Sequence, residues 1–131
     1  MVDRASGMLW AEFVPSLETG AVCHAVIRQL LPHKHILKTI TFDNGREFSR
    51  HTDIARKLGT YNYFTRPYHS WEKGSVENAN GLLRQYLKKG SSFDSLSQEF
   101  VQHICDLINN RPRKRFGFYS PIEIFCLYLH K

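Results

Sequence analysis

"LKTITFDNG" (residues 37–45) is the stretch on which the fold turns. Its first six residues are short, apolar and β-branched, the composition of a half-buried strand rather than of a helix turn. Asp43, Asn44 and Gly45 follow at once. Two readings of Asp43 are open. Asp-Asn-Gly is good turn chemistry, and something must end the strand. A carboxylate at the tip of a buried strand is also well placed to hold a metal ion.

On the N-terminal side, "MLWAEFV" (8–14) reads as a strand ended by Pro15 and Ser16. "ETGAVCHAVIRQLL" (18–31) has apolar residues at 22, 26, 27, 30 and 31, a helical stripe stopped by Pro32. After the strand comes "TDIARKLG" (52–59), a short helix with Thr52 as cap and Gly59 as stop. "YNYFT" (61–65) reads as another strand, followed by the irregular "RPYHSWEKG" (66–74). A long helix is expected from Ser75 to Lys89-Gly90, with Val76, Ala79, Leu83, Tyr86 and Leu87 on its apolar face. A second, about 95–109, carries Phe100, Ile104, Leu107 and Ile108; a third opens with Pro121 after Ser120 and carries Ile122, Ile124, Phe125 and Leu129. This alternation of strands and helices with short connections predicts one α/β layered domain over 1–131.

At 131 residues and 42% hydrophobic, the chain is long and apolar enough to bury a core, which argues against disorder. It lacks a run of about 18 apolar residues, so no membrane helix is expected, and Met1-Val2-Asp3-Arg4 does not open a secretory signal. Cys23, Cys105 and Cys126 share no CxxC spacing and fit free thiols in a reducing cytoplasm. The net charge is +6, and seven of the 18 Lys and Arg residues fall in two groups, Arg84 with Lys88 and Lys89, and Arg111 with Arg113, Lys114 and Arg115. Such clusters are the electrostatic footprint of a nucleic-acid partner, against the plainer reading of a solvated surface.

Residues 44–76, 33 in all, separate Asp43 from Glu77. Glu77 falls near the start of the long helix on its polar face, with Arg84 and Lys88 further along that face. In an α/β unit, that interval can return the chain to the carboxyl end of the first strand, where open sheets place their sites. Two carboxylates there suit Mg²⁺, which takes oxygen ligands and few carboxylates. Glu77 in a first helical turn also has a plain explanation, its favourable interaction with the macrodipole.

"TITFDNGREF", "PYHSWEKGSVENANGLLRQYLKKG" and "LINNRPRKRFGFYSPIEIF" together resemble the catalytic domain of bacterial transposases of the insertion sequence 30 family. These belong to the DDE transposase and retroviral integrase superfamily. The resemblance covers essentially the whole chain, in the family's motif order and with its interval between second aspartate and glutamate. It implies a ribonuclease H-like fold, with Asp43 as the second catalytic aspartate, Glu77 as the catalytic glutamate and Arg84 as the basic position characteristic of the helix. It also implies Mg²⁺ or Mn²⁺ in a two-metal site and in-line phosphoryl transfer on DNA. Lys73, His69, Lys88, Arg111, Arg113, Lys114 and Arg115 become expected DNA contacts, and Tyr68 and Trp71 candidate stacking partners for an unpaired base.

In that family the first aspartate lies in a "Gly-Asp" strand before the segment resembling "VDRASGMLW". The resemblance therefore implies a fold lacking its first central strand and a carboxylate set incomplete in this chain alone, without strand transfer. Asp3 is expected to sit at the opposite end of the sheet or to face away from Asp43. The partners implied are transposon-end and target DNA, with further copies or an intact transposase in a nucleoid-associated, cytoplasmic assembly and no membrane. The competing reading is a non-catalytic DNA-binding or regulatory remnant.

Overall fold

The computed structural model describes residues 1–66, 74–88, 90 and 96–130. Within it the chain divides into two compact units, one of residues 14–72 and one of residues 1–13 with 73–131.

The 14–72 unit is a βαβ arrangement with one helix ahead of it. Helix α1 (Thr19–Leu30) buries Cys23, Ala25, Val26 and Leu30; of the expected stripe Val26 and Leu30 are buried, Val22 and Ile27 half-buried and Leu31 exposed, the small Cys23 and Ala25 completing the packed face. Pro32 does not stop it abruptly; a single 3₁₀ turn, Leu31–His33, accommodates the proline near its start, where the missing N–H is no loss. Strand β1 (Thr39–Phe42) then pairs in parallel with β2 (Tyr61–Phe64), with Thr39 opposite Tyr61 and Phe42 opposite Phe64. A parallel pair needs a crossover, and helix α2 (His51–Leu58) supplies it. Its Ile54 and Leu58, four residues apart, are fully buried and join the α1 face and Phe42 in the core. Gly59 ends α2 in the left-handed conformation (φ 66°), as expected. Thr52 lies inside the helix and not at its cap: the cap position falls to Arg50, which makes no side-chain cap bond.

In the other unit the expected strand at 8–14 is reduced to a hairpin with an isolated antiparallel bridge, Val2 to Leu9. Met1 and Trp10 exchange backbone bonds across it, and the Asp3 N–H donates to the Met8 carbonyl. The outward groups of Leu9 meet a side chain instead of another strand. Its N–H donates to Asn109 Oδ1 and its carbonyl accepts from Asn109 Nδ2, both at 2.8 Å. A primary amide thus completes the hydrogen bonding that a neighbouring strand would otherwise provide. Asp3 serves the hairpin turn: its oxygens accept from the Ala5 and Ser6 N–H groups and the Ser6 hydroxyl.

Helix α3 (Gly74–Arg84) is shorter than expected and gives way to turns before Gly90. Its packed residues are Ala79, Leu82 and Leu83, with Leu87 just beyond; Val76 and Tyr86 lie exposed. In α4 (Gln98–Asn109) the buried face is Val101, Ile104, Cys105 and Ile108, whereas Phe100 and Leu107 face solvent. Side-chain volume is a poor guide to the face here, because the smaller Val101 and Cys105 complete the i, i+3, i+4, i+7 stripe. Helix α5 (Pro121–Leu129) starts as expected: Ser120 and Glu123 form a capping box with Pro121 in the first turn. Leu9, Ala79, Ile104, Cys105 and Ile108 form the core joining hairpin, α3 and α4.

Candidate functional site

Asp43 stands directly beyond the carboxyl end of β1, exposed to solvent. Its Oδ1 accepts the Gly45 N–H at 3.0 Å, an Asx turn, so the bland reading of Asp-Asn-Gly holds for one oxygen. Asn44 turns the other way and donates to the Thr65 carbonyl at 2.8 Å, while the Thr65 N–H donates to Phe42. The ends of β1 and β2 are thereby tied side by side, and the carboxylate is presented at the carboxyl edge of a parallel sheet. That is the edge at which open α/β sheets carry their sites. Gly45 matters for a reason the sequence did not disclose. A Cβ there would fall 2.5–2.6 Å from the Glu47 carboxylate, so the absence of a side chain lets Glu47 fold back over the turn. Glu47 is a second carboxylate on the same loop that sequence reasoning passed over. Its signal was its position, four residues after Asp43 and inside the turn.

Glu77 occupies the first turn of α3, exposed, with no hydrogen bond or ion pair among the described residues. Arg84 closes the same helix, its Nη1 donating to the Leu87 carbonyl at 3.4 Å. Lys88 is exposed beyond it. His69 and Lys73, with Tyr68, Trp71 and Lys89, lie outside the described residues.

The second basic group is brought against α3 by the packing of α3 on α4. Arg111 reaches the C-terminal end of α3, where it donates to Tyr86 Oη at 2.7 Å and Gln85 Oε1 at 3.3 Å. Arg113, Lys114 and Arg115 instead border a cavity of about 150 Å³ beside the first half of α3, together with Ser75 and Asn78. Lys114 and Arg115 are exposed at its edge. Arg113 is half-buried: its Nη2 donates to the Ile108 carbonyl at 3.3 Å, but its Nε is buried without a partner among the described residues. Burial, then the charges of Arg111 and Arg115, pull its pKa below the usual guanidinium range. An anion placed there would answer both conditions, because a buried donor without an acceptor and a cation among cations are each unfavourable. Arg115 lies over the Phe116 ring, 4.4 Å from its centroid.

Oxygen donors of the kind Mg²⁺ and Mn²⁺ take are present and accessible at Asp43 and Glu77. Among the described residues no cluster of three or more acidic, histidine or cysteine side chains forms a metal cage. No described helix is long and apolar enough to cross a membrane.

No protein-family model matches the chain. Sequence relatives and a solved structure do. Over 123 residues it is 43% identical to the transposase for insertion sequence element IS4351 of Bacteroides fragilis, covering 94% of this chain and 38% of the relative. It is 38% identical over 125 residues to the transposase InsI for element IS30A of Escherichia coli K12, covering 95% of this chain and 33% of that one. The chain therefore spans little more than a third of the length of these curated relatives. The catalytic core domain of BIV integrase superposes with a TM-score of 0.72 at 26% identity, over 98% of this chain and 84% of that domain. By descent and by architecture alike, the chain is a homologue of the insertion-sequence transposases, that of IS30 among them, and carries the ribonuclease H-like fold of an integrase catalytic core.

Proposed function

We propose that the chain is part of the integrase-like catalytic domain with which a transposase binds DNA and carries out strand cleavage and strand transfer, and that it does not catalyse strand transfer alone. The observation that carries this reading is the match of 98% of the chain to one integrase catalytic core. Asp43 and Glu77 are the carboxylates that would hold Mg²⁺ or Mn²⁺. When bound, such ions lower the pKa of an attacking water or hydroxyl and neutralise charge on the phosphate and leaving oxygen. The chain's own residues do the remaining work. Asn44 and Gly45 hold the Asp43 loop against the end of β2, which fixes one carboxylate oxygen and leaves the other toward solvent. α3 presents Glu77 from its first turn, with Arg84 and Lys88 as phosphate contacts at its far end. Arg113, Lys114 and Arg115 add a second cationic strip beside that helix. His69 and Lys73 are proposed DNA contacts on the sequence resemblance, and assembly with further copies is proposed with them.

Binding of Mn²⁺ to the full chain with a transposon-end duplex tests the carboxylates without requiring turnover. Asp43→Asn and Glu77→Gln should each weaken Mn²⁺ binding by roughly ten-fold or more while DNA affinity in EDTA stays unchanged. Wild-type Mn²⁺ affinity in both variants would refute the assignment and favour the non-catalytic DNA-binding remnant. In the same duplex titration, Arg113→Glu with Lys114→Glu should lower the slope of log affinity against log salt by about 1 for each phosphate no longer neutralised. An unaltered slope would remove the cationic strip from the interface.

A further inference from the structure

The cavity beside α3 has an uneven lining. Leu9, Ala79 and Ile108 are buried and form its floor, Leu82 and Phe116 are half-buried on its walls, and the exposed Asn78 and Lys114 stand at its rim. Among the described residues that line it none is acidic, and three consecutive residues of the rim segment, Arg113 to Arg115, are cationic. A plain phosphate contact needs no apolar floor, and an apolar side chain of a protein partner has no use for a cationic rim. The two features are satisfied together by a ligand with a flat apolar body and an anionic attachment. At about 150 Å³ the space admits one planar ring system and lies below the ~300–1,000 Å³ of common small-molecule sites, which argues against a whole dinucleotide cofactor. Phe116, with Arg115 already stacked at 4.4 Å, is the aromatic and guanidinium platform on which nucleobases settle.

We propose that this cavity takes one unstacked nucleotide of a DNA strand, its base entering against Leu9, Leu82 and Phe116 and its phosphate held at the rim by Arg113 and Lys114. The phosphate half rests on the DNA-contact reading above; the base half goes beyond it. Binding asks the Arg113 side chain to turn its Nε, buried and unpartnered among the described residues, toward the phosphate at the rim. Unpairing a base costs a few kcal/mol in a duplex and far less at an end or in a single strand, so the site favours frayed or single-stranded DNA.

The test uses the full chain and a 5′-phosphorylated oligothymidylate single strand carrying one 2-aminopurine. The fluorophore should be quenched saturably. An abasic strand of the same length and charge should compete roughly ten-fold less well than an ordinary one, the size of one lost base stack. Ser75→Trp, which places an indole across the mouth, should remove the quench while leaving affinity for the abasic strand unchanged. Asn78→Trp, from the same rim, serves the same purpose should circular dichroism show the first variant unfolded. Equal competition by the abasic strand, or a quench that survives in a folded mouth variant, would overturn the proposal while leaving phosphate contact intact. Failure of the chain to bind any strand would overturn both.

Discussion

Replacing Asn109 tests how the hairpin is held to the helices that frame the cavity. Its amide, 2% exposed, donates to and accepts from the backbone of Leu9, itself 3% exposed, with both bonds at 2.8 Å. Asn109→Ala strands two buried backbone groups, and each orphan costs about 1–3 kcal/mol, so the loss should total ~2–6 kcal/mol. The gain in helix propensity at the end of α4 is only a few tenths and does not offset it. Asn109→Asp separates the two bonds. The carboxylate still accepts the Leu9 N–H but turns a negative charge toward the Leu9 carbonyl. Burial and that repulsion raise the carboxyl pKa above its unfolded value of about 3.9. A raised folded pKa means that the stabilising protonated form is fully present below about pH 3.9 and is lost as pH rises through the folded value. Relative to wild type, Asn109→Asp should therefore gain stability on acidification, whereas Asn109→Ala should not. Urea denaturation followed by circular dichroism measures both. A deficit under about 1 kcal/mol in Asn109→Ala at pH 7 would refute the claim that this amide stands in for a paired strand.

The termini of the helices supply two further tests. Ser120→Ala removes the capping box of α5 and should cost about 1 kcal/mol. The Ser120 N–H at 2.7 Å, then its hydroxyl, hold the Glu123 carboxyl below the usual glutamate range, so their contribution is present above pH 4.5 and lost as pH falls. Ser120→Ala should accordingly shrink the acid loss of stability, and an unchanged acid limb in urea melts would contradict the box. Gly59→Ala should cost roughly 1–2 kcal/mol by thermal melting, because φ is 66° while the added methyl meets only Lys34 Cε at an ordinary 3.7 Å. A neutral result would mean that the turn relaxes to another conformation.

Local signals were legible wherever the chemistry is local. The β-branched "TITF", the stop at Gly59 and the Ser120-Pro121 start of α5 depend on backbone conformation and on neighbours within a few residues, and each stands where expected. The motif spacing also placed Asp43 beyond β1 and Glu77 in the first turn of α3, because strand tips and helix starts are written by the same short-range rules. Register on a helix was less legible. Leu82 packs where Val76 was expected, and Cys105 where Leu107 was, because which side of an amphipathic helix is buried depends on the partner surface. Residues 8–14 have strand composition but become a hairpin arm, since a strand is defined by what pairs with it and Leu9 meets an amide 100 positions away. Folding alone joins Arg113 to Ser75 around one cavity and leaves its Nε without an acceptor among the described residues. The chemistry this protein carries, its carboxylates and cations, can thus be read along the chain through short-range rules of turn and helix. Which of those groups are satisfied internally, and which are left to face a ligand, is fixed in three dimensions, because desolvation and hydrogen-bond satisfaction exist only once distant segments have packed.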